Sequence, residues 1–316
     1  MHHNQLKSRK VYTLGETVLD IVADGGYSFQ AVPGGSVLNA SVSLSRMGVD
    51  VNLISEFGAD KAGNLIDEFL KANAVQTGFC TRYKNHKTSI ALAFLDSSKK
   101  ASYSFYHDSP EKSDEILLPV FQKEDILLFG SFYSVKPNRR DLLLKVLHKA
   151  VEARSVIYYD LNIRKVHSND FDKLMISFLD NISVATIVKG SDEDFMNLFG
   201  LSDPAAVYEK VSQHCKILIL TRGSKPAQVF TPEYSRIYTV PEIEPVSTIG
   251  AGDSFNAGFI YGLVTSGIST DNIADIPVAE LDRLAACGIA FATETCLSTQ
   301  NYIKGNFEPD FWKKYI

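Results

Sequence analysis

The chain has 316 residues, and its 32 lysines and arginines against 37 aspartates and glutamates give a formal net charge of −5. This length allows one large α/β domain or two ordinary ones, and either buries a substantial core. The absence of a long basic run excludes the electrostatic footprint of a protein that binds nucleic acid or acidic membranes. We therefore expect a small molecule as partner, with no nucleic acid and no membrane.

The cysteines are dispersed and form no C-x-x-C pair; they are Cys80, Cys215, Cys287 and Cys296. This spacing predicts buried thiols rather than a zinc site or a disulfide framework. No segment has the ~18 consecutive apolar residues that span a bilayer, and the polar first residues lack the apolar core of a signal peptide. These features together predict a cytoplasmic protein.

Short apolar runs typical of buried strands recur along the chain, at Val11–Leu14, Val51–Ile54, Ile126–Phe129, Val156–Tyr159, Ile187–Val188 and Ile217–Leu220. Helical patterns follow several of them, at Arg140–Ala153, Ala205–His214 and Ser254–Thr265. This alternation indicates an α/β fold with a parallel sheet covered on both faces. Ligands of such sheets bind at the carboxyl ends of the strands. The residues expected there are Gly15, Asp160, Ser191 and Gly223.

One region breaks this alternation and predicts a small separate sheet. The extended runs Ser89–Leu95 and Ser102–His107 flank a short polar segment, which is typical of a β-hairpin. With Tyr27–Val32 they would form a lid inserted into the main domain, at about residues 20–34 and 88–109. A sheet with an apolar face needs a cover. We therefore expect the lid to close over a ligand, to pack on a second subunit, or both.

The first glycine motif, Pro33-Gly34-Gly35-Ser36-Val37-Leu38-Asn39, precedes an apolar helical pattern that ends near Gly48. The backbone can approach a ligand at Gly34 and Gly35. Asn39, near the helix start, offers a donor and an acceptor, which suits hydroxyl groups better than phosphate. By itself the motif also fits a helix cap and nothing more.

The second glycine motif, Ser247-Thr248-Ile249-Gly250-Ala251-Gly252-Asp253-Ser254-Phe255, begins another apolar helical pattern. The first N–H groups and the dipole of a helix attract an anion, and small residues let it approach. The amides of Gly250, Ala251 and Gly252 would stabilise a transferring phosphoryl group. Asp253 would accept a proton from a hydroxyl. The alternative is an ordinary tight turn with a helix-terminal aspartate.

Together the two motifs resemble the paired signatures of the ribokinase-like (pfkB) carbohydrate kinase family, one near each end of a chain of about this length. Supporting matches extend from about Val11 to about Gln300: Gly15-Glu16 with Asp20, Phe57–Asp60 with Gly63, Asp160–Arg164, Lys189–Asp194 and Thr221–Ser224. The resemblance implies one domain over residues 1–316. Its fold would be a ribokinase-like three-layer α/β/α sandwich with a mostly parallel central sheet and a small β-sheet lid.

The resemblance also implies roles for the motif residues. Asp253 would be the general base that activates a sugar hydroxyl for attack on the γ-phosphate of ATP. Asp20 is similar to the family's sugar-binding acid, which accepts hydrogen bonds from two hydroxyls, and a turn aspartate is the alternative. The residues implied to contact the same sugar are Gly34, Gly35, Asn39 and, in the lid, Phe105.

Arg164, in the segment Asp160-Leu161-Asn162-Ile163-Arg164, is a further substrate-binding candidate. Its guanidinium could neutralise phosphate or contact the substrate. A surface arginine that pairs with Asp160 is the alternative reading of the same segment.

On the nucleotide side the chain departs from the family. The usual Asn-x-x-Glu, associated there with phosphate and Mg²⁺, is here Ser191-Asp192-Glu193-Asp194. Both replacements keep an oxygen, so Asp194 would still contact Mg²⁺, through water and with a shorter reach. The implied nucleotide-binding residues are Lys189, Ser191, Thr221, Gly223, Ser224, Gly250, Gly252 and Gly288.

Ser247 stands where relatives have an acid that helps to hold a monovalent cation behind the anion hole. A neutral serine at this position predicts weak activation by potassium or none. The cofactors that the resemblance implies are therefore ATP and Mg²⁺, with a potassium site in doubt.

The segments Gly15–Asp20, Pro33–Gly35 and Tyr103–His107 are most similar to the fructokinase branch. They imply phosphorylation of fructose to fructose 6-phosphate with MgATP. A 2-keto-3-deoxygluconate kinase is an alternative, although its acidic substrate would better match an arginine near His107; ribokinase and nucleoside kinase also stay open. A catalytically weak sensor of sugar or nucleotide would fit the changed residues Ser191, Asp194 and Ser247. The uncovered lid favours a homodimer.

Overall fold

The structure is a computed structural model that describes residues 9–23, 29–95, 101–108, 110, 117–163, 171–305, 307–308 and 310–316. Its strands are β1 (Lys10–Leu14), β2 (Val18–Ala23), β3 (Phe29–Gly34), β4 (Asp50–Gly58), β5 (Gln76–Tyr83), β6 (Ile90–Leu95), β7 (Ala101–Tyr106), β8 (Ile126–Gly130), β9 (Val156–Asp160), β10 (Ile187–Ser191), β11 (Ile217–Arg222), β12 (Lys225–Phe230) and β13 (Ser235–Tyr238). They form two sheets, a large one and a small one.

The large sheet has the strand order β13-β12-β11-β10-β9-β8-β1-β4-β5. From β11 to β5 all neighbouring strands pair in parallel, and β12 and β13 continue the sheet as antiparallel strands at one edge. Strands β8 and β9, near the centre of the sheet, are buried along their whole length, as expected for parallel strands covered on both faces. The predicted α/β fold with a mostly parallel sheet is confirmed.

The α-helices are α1 (Ser36–Arg46), α2 (Lys61–Ala72), α3 (Arg140–Glu152), α4 (Phe171–Val184), α5 (Asp192–Phe199), α6 (Pro204–Val211), α7 (Ala251–Ser266) and α8 (Val278–Cys296). Single 3₁₀ turns lie at Phe132–Val135, Pro137–Arg139 and Phe311–Tyr315. Among the described residues, no helix is both long and apolar enough to cross a bilayer.

Two separate apolar cores show that the helices lie in two layers, one on each face of the large sheet. Helices α1, α2, α7 and α8 bury their apolar residues in one core, and α3 to α6 bury theirs in the other. Consecutive residues of one strand point to opposite faces of the sheet and enter different cores, as Ile217 and Leu218 of β11 do. The arrangement is the three-layer α/β/α sandwich.

The small sheet has the order β3-β2-β6-β7, with β2 and β6 parallel and the outer pairs antiparallel. The register places Asp20 opposite Ala91, and Ala91 opposite Phe105, so Asp20 and Phe105 share one face. This face lines a cavity at the large sheet, whereas Phe29, Phe94 and Tyr106 on the other face are 51%, 47% and 60% exposed. The prediction of a small separate sheet is confirmed, with β2 as a strand that the sequence patterns did not predict; we refer to this sheet as the lid sheet.

The carboxyl edge of the large sheet gathers the polar residues of the sequence motifs. Gly15 follows β1, Asp160 ends β9, Ser191 ends β10, and Gly223 follows β11 with a left-handed φ of 61°. The predicted position of these four residues at strand ends is confirmed. The N-terminus of α7 and the lid sheet contribute to the same cavity at this edge.

Helices α7 and α8 approach closely at Gly258, and this contact generates a stability prediction. A Cβ at Gly258 would lie 2.2 Å from the carbonyl oxygen of Cys287, whereas a Cβ at Gly78 in β5 would meet nothing within 4 Å. We expect Gly258→Ala to lower the free energy of unfolding by about 1–3 kcal/mol, because the helices must separate. Chemical denaturation measures this change.

The matched control is Gly78→Ala, for which we expect a change within about 0.5 kcal/mol. Equal effects of the two substitutions would show that the contact between α7 and α8 tolerates an added methyl group.

Candidate active site

Helix α7 begins at a glycine that no other residue could replace without strain. Gly250 is its N-cap with φ 79° and ψ −2°, and a Cβ there would lie 2.0 Å from the carbonyl oxygen of Asn301. The Ala251 N–H donates to the carbonyl of Thr248 at 3.3 Å. Among the described contacts, the N–H groups of Gly252 and Asp253 have no backbone acceptor. These two amides, and that of Gly250, which also has no backbone acceptor among the described contacts, are available to an anion, whereas the predicted Ala251 amide is bonded to Thr248.

Asp253, in the first turn of α7, is the buried carboxylate of the site. Its Oδ1 accepts a hydrogen bond from Ser36 Oγ at 2.6 Å, and its Oδ2 accepts one from Asn39 Nδ2 at 2.9 Å. Burial raises its pKa above the usual value, and the nearby Asp160 carboxylate adds to the rise; the hydrogen bonds from Asn39 and Ser36 oppose it. The result is a fixed carboxylate whose basicity exceeds that of an exposed aspartate.

The two glycine motifs thus meet at one point, although they lie more than 200 residues apart. Asn39 uses its amide nitrogen on Asp253, while its Oδ1 is buried and has no hydrogen-bond partner among the described residues. A buried acceptor without a partner is costly. This oxygen is therefore an acceptor for which the described residues provide no donor.

A cavity of about 220 Å³ opens in front of these groups. It is several times larger than the volume of about 30 Å³ that one water molecule occupies, so it admits a small polar molecule. The predicted residues that line it are Asp20, Gly35, Asn39, Phe105, Gly250 and Asp253. Gly34 lies directly behind Asp20, because a Cβ at Gly34 would be 1.9 Å from Asp20 Oδ2. The structure therefore brings these sequence-predicted residues to one site.

Three ionisable side chains that carried no predicted role also line this cavity. Lys136 Nζ donates to both oxygens of Glu16, at 2.9 and 3.0 Å, and His107 Nδ1 lies 3.1 Å from Glu16 Oε1. Burial raises the pKa of Glu16, but the hydrogen bonds and charges of His107 and Lys136 outweigh it and lower the pKa to about 2. Glu16 is thus ionised and tied to a lysine inside the cavity.

Two residues at the cavity have left-handed backbone conformations although neither is glycine. Ser131 follows β8 with φ 53°, and Asn162 lies two residues beyond β9 with φ 40°. Such strain concentrates at functional sites. Neither left-handed conformation was predicted from the sequence patterns.

A second buried network lies beside the amides of α7. Lys189 Nζ donates to Asp160 Oδ1 at 3.0 Å, and Asn256 Nδ2 donates to Asp160 Oδ2 at 2.7 Å. A Cβ on Gly252 would be 3.3 Å from Lys189 Nζ, so the ammonium group lies close to the start of α7. Burial opposes the charge of Lys189, but Asp160, Asp194 and Asp253 together raise its pKa. A permanent cation therefore lies next to the candidate anion site.

The remaining predicted nucleotide residues occupy strand ends and a helix interface. Ser191 and Thr221 are register partners at the ends of β10 and β11, and Gly223 and the exposed Ser224 form the turn that follows. Gly288 is buried in α8, where an added Cβ would lie 3.0 Å from the Phe255 ring. The first four border the same sheet edge as Lys189, whereas Gly288 packs between helices.

Asp194, the candidate magnesium ligand, is already bonded on both carboxylate oxygens. Its Oδ1 accepts from the Ile163 N–H at 2.6 Å, and its Oδ2 accepts from the N–H and Oγ of Ser191, both at 2.7 Å. Among the described residues, no cluster of three or more His, Cys, Asp or Glu side chains could hold a metal ion. Arg164, the other candidate for charge neutralisation, lies outside the described residues.

The chain is similar to known carbohydrate kinases over most of its length. The sequence model described as pfkB family carbohydrate kinase matches residues 8–303. The Arabidopsis thaliana protein named probable fructokinase-4 is 26% identical over 321 residues, which cover 94% of this chain and 97% of the relative. Aminoimidazole riboside kinase of Salmonella typhimurium is 24% identical over 262 residues, which cover 80% and 81%.

Among solved structures, fructokinase from Vibrio cholerae O395 in its fructose, ADP and calcium ion bound form superposes with a TM-score of 0.79. It is 21% identical, and the match covers 94% of this chain and 96% of that structure. At this identity the likeness shows the fold. The two glycine motifs and the lid lie within the matched family region.

The pairing of Glu16 with Lys136 and His107 generates a prediction about pH. A carboxylate whose pKa is lower in the folded state stabilises the fold above its unfolded pKa, and loses that contribution as the pH falls through the folded pKa of about 2. We expect Glu16→Gln to lower the free energy of unfolding by about 1–3 kcal/mol at neutral pH. Urea denaturation from neutral pH to about pH 3 should show this difference shrinking below about pH 4.5.

The control is Glu152→Gln, since Glu152 forms an exposed pair with His148 on α3 and should change stability by less than about 0.5 kcal/mol. A difference for Glu16→Gln that stays constant over the same pH range would show that the ion pair is not its cause.

Proposed function

Because the chain belongs to the pfkB family of carbohydrate kinases, we propose that it transfers the γ-phosphoryl group of ATP to a hydroxymethyl group of a neutral sugar. Fructose is the proposed substrate and fructose 6-phosphate the product. The observation that carries this proposal is the Asp253 carboxylate, which is held by Ser36 and Asn39 at the wall of a polar cavity. Asp253 directly follows Gly252, whose amide has no backbone acceptor among the described contacts and is free to bind an anion.

The residues present support an in-line transfer. The sugar hydroxyl oxygen forms the new bond to the γ-phosphorus as its proton passes to Asp253, and the bond from the γ-phosphorus to the bridging oxygen breaks to release ADP. The amides of Gly252 and Asp253 and the ammonium of Lys189 would stabilise the negative charge in transit. General-base catalysis supplies about 10²–10⁴-fold, so positioning and charge stabilisation supply the rest.

A neutral, hydroxyl-rich substrate suits the charges that line the cavity. Its described lining includes the carboxylates Glu16, Asp20 and Asp253 against Lys136 and His107. Carboxylates accept hydrogen bonds from hydroxyls, and so does the unpartnered Asn39 Oδ1. An anionic sugar acid beside Asp20 would meet like charge in a poorly solvated site.

A riboside is the second candidate substrate, and one observation favours it. The rings of Phe105 and His107 lie parallel, with 5.6 Å between their centroids, at the lid side of the cavity. Such an aromatic pair would offer a stacking surface to a base-like ring. The relative named aminoimidazole riboside kinase supports including this class in any substrate test.

For the nucleotide we propose ATP with Mg²⁺, bound along the ends of β10 and β11. Lys189, Ser191, Thr221, Gly223 and Ser224 would contact it there. Mg²⁺ keeps several waters and is held mainly by nucleotide phosphates, where it neutralises their charge. With both its oxygens already bonded, Asp194 would contact one of these waters through the second lone pair of Oδ1. A role for Gly288 at the adenine remains part of the proposal.

We further propose a homodimer that forms through the outer face of the lid. Phe29, Phe94 and Tyr106 project from this face and are about half exposed, whereas large aromatic side chains are usually covered. A second lid would bury all three. Size-exclusion chromatography with light scattering tests the dimer.

The free thiols of all four cysteines fit the reducing cytoplasm, which we propose as the compartment.

The decisive experiment combines a sugar panel with the variant Asp253→Asn. ADP release is measured with fructose, 2-keto-3-deoxygluconate, ribose, and nucleosides that include aminoimidazole riboside. We expect wild type to use fructose with the highest kcat/KM. The variant should lose at least ~10²-fold in kcat but retain sugar and ATP binding, because the amide keeps the shape and cannot act as a base.

Asp180→Asn, at an exposed ion pair with Arg140, is the matched control and should retain wild-type turnover. Near wild-type turnover of Asp253→Asn would remove Asp253 from the mechanism. Binding of sugar and ATP without any turnover by wild type would instead favour the sensor.

Potassium dependence tests the consequence of Ser247. Its Oγ accepts a hydrogen bond from the Ile249 N–H at 3.2 Å and carries no charge. We expect potassium to raise kcat by less than about twofold over an equal ionic strength of a bulky organic cation, since a neutral oxygen holds a cation weakly. A strong requirement for potassium would show that backbone carbonyls suffice for the site.

A further inference from the structure

Lys136 is the one lysine or arginine among the described residues that line the cavity. It lies between two 3₁₀ turns that follow β8, and its Nζ donates to both oxygens of Glu16, at 2.9 and 3.0 Å. Glu16 lies in the short connection between β1 of the large sheet and β2 of the lid. The ammonium group of Lys136 in the cavity is thus already paired with a carboxylate of the protein itself.

The pairing changes what the cavity can recognise. A free ammonium group in a partly buried site is a strong ligand for a substrate carboxylate. Once bonded to Glu16, the ammonium group attracts an anion only weakly. The pair is nearly neutral, and two of the three N–H donors of Lys136 are already used. The remaining carboxylates, Asp20 and Asp253, then make the cavity repel anionic substrates.

We propose that Glu16 is a specificity-determining residue, which excludes sugar acids by neutralising Lys136. This inference rests on the proposed function, since it concerns the choice of substrate at the same cavity. Without the negative charge of Glu16, Lys136 becomes the binding group for the carboxylate of a sugar acid such as 2-keto-3-deoxygluconate. Neither residue needs to act in the chemical step, because Asp253 has its own partners in Ser36 and Asn39.

A purely structural role of Glu16 makes a different prediction. His107, at the end of the lid sheet, also lies 3.1 Å from Glu16, so the carboxylate could simply hold the lid in place. Loss of a lid contact would lower kcat/KM for neutral and acidic sugars by the same factor. Loss of a charge filter changes the ratio between them.

The experiment compares kcat/KM for fructose and for 2-keto-3-deoxygluconate in wild type, Glu16→Gln, and the double variant Glu16→Gln/Lys136→Met. We expect Glu16→Gln to raise the ratio of sugar acid to fructose by about tenfold or more, the size of one charge-assisted hydrogen bond. The double variant should return the ratio to the wild-type value or below it. Thermal unfolding confirms that each variant is folded.

Glu56→Gln is the matched control, because Glu56 is a buried glutamate paired with Arg139 beside this cavity but does not line it. Its ratio should equal that of wild type. An unchanged ratio in Glu16→Gln overturns the proposal, and so does a raised ratio that persists in the double variant, since another cation would then be responsible.

Calorimetric titration with 2-keto-3-deoxygluconate, in the absence of nucleotide, separates this proposal from the proposed function. Glu16→Gln should bind the sugar acid about tenfold more tightly than wild type even if neither protein turns over fructose. Absence of turnover with any sugar would overturn the proposed function alone. Equal affinity of both proteins for the sugar acid would overturn the role of Glu16 alone.

Discussion

A carboxylate buried at the start of a helix is the constraint on which this site depends. Removing the charge of Asp253 from water costs several kcal/mol unless nearby groups compensate. Ser36 and Asn39 donate to its two oxygens, and the helix dipole and Lys189 provide positive potential. These groups come from α1, α7 and β10, so the position of three distant elements is tied to one side chain. Burial keeps the pKa of Asp253 above its usual value, and the hydrogen bonds from Asn39 and Ser36 limit this rise.

The close approach of these elements also requires glycines at the starts of α7 and α1. Helix α7 can start against the segment after α8 only because Gly250 has no side chain, and α1 can start beside Glu16 because Gly35, with φ 123°, has none. A Cβ at Gly35 would lie 2.4 Å from the Glu16 carbonyl oxygen. The glycines therefore do more than open space for a ligand. They let the backbone segments that carry Glu16, Ser36 and Asp253 approach each other.

Sequence patterns predicted the strands that are buried without interruption, and the site residues that lie close together in the sequence. Strands β8, β9 and β11 each begin with four consecutive buried apolar residues, so they were predicted within one or two residues. Strand β2 was missed because it carries Asp20, and β12 because Pro226 interrupts it. Ser36 adjoins a predicted glycine and could have been found by its position. Lys136 could not, since 120 residues separate it from Glu16 and only the fold brings them together.

Ser191 and Asp194, the two residues expected to depart from the family pattern, form a coupled pair in the structure. Ser191 is the N-cap of α5, its Oγ accepts from the Asp194 N–H at 3.1 Å, and Asp194 accepts from the Ser191 N–H in return. This capping box satisfies two helix-end donors that would otherwise be unpaired. A serine and an aspartate are short enough to close it, and Asp194 also accepts from the Ile163 N–H after β9. Ser191 and Asp194 thus fix the β10–α5 junction and the end of β9. They keep the carboxylate near Lys189 while using most of its hydrogen-bonding capacity for the fold.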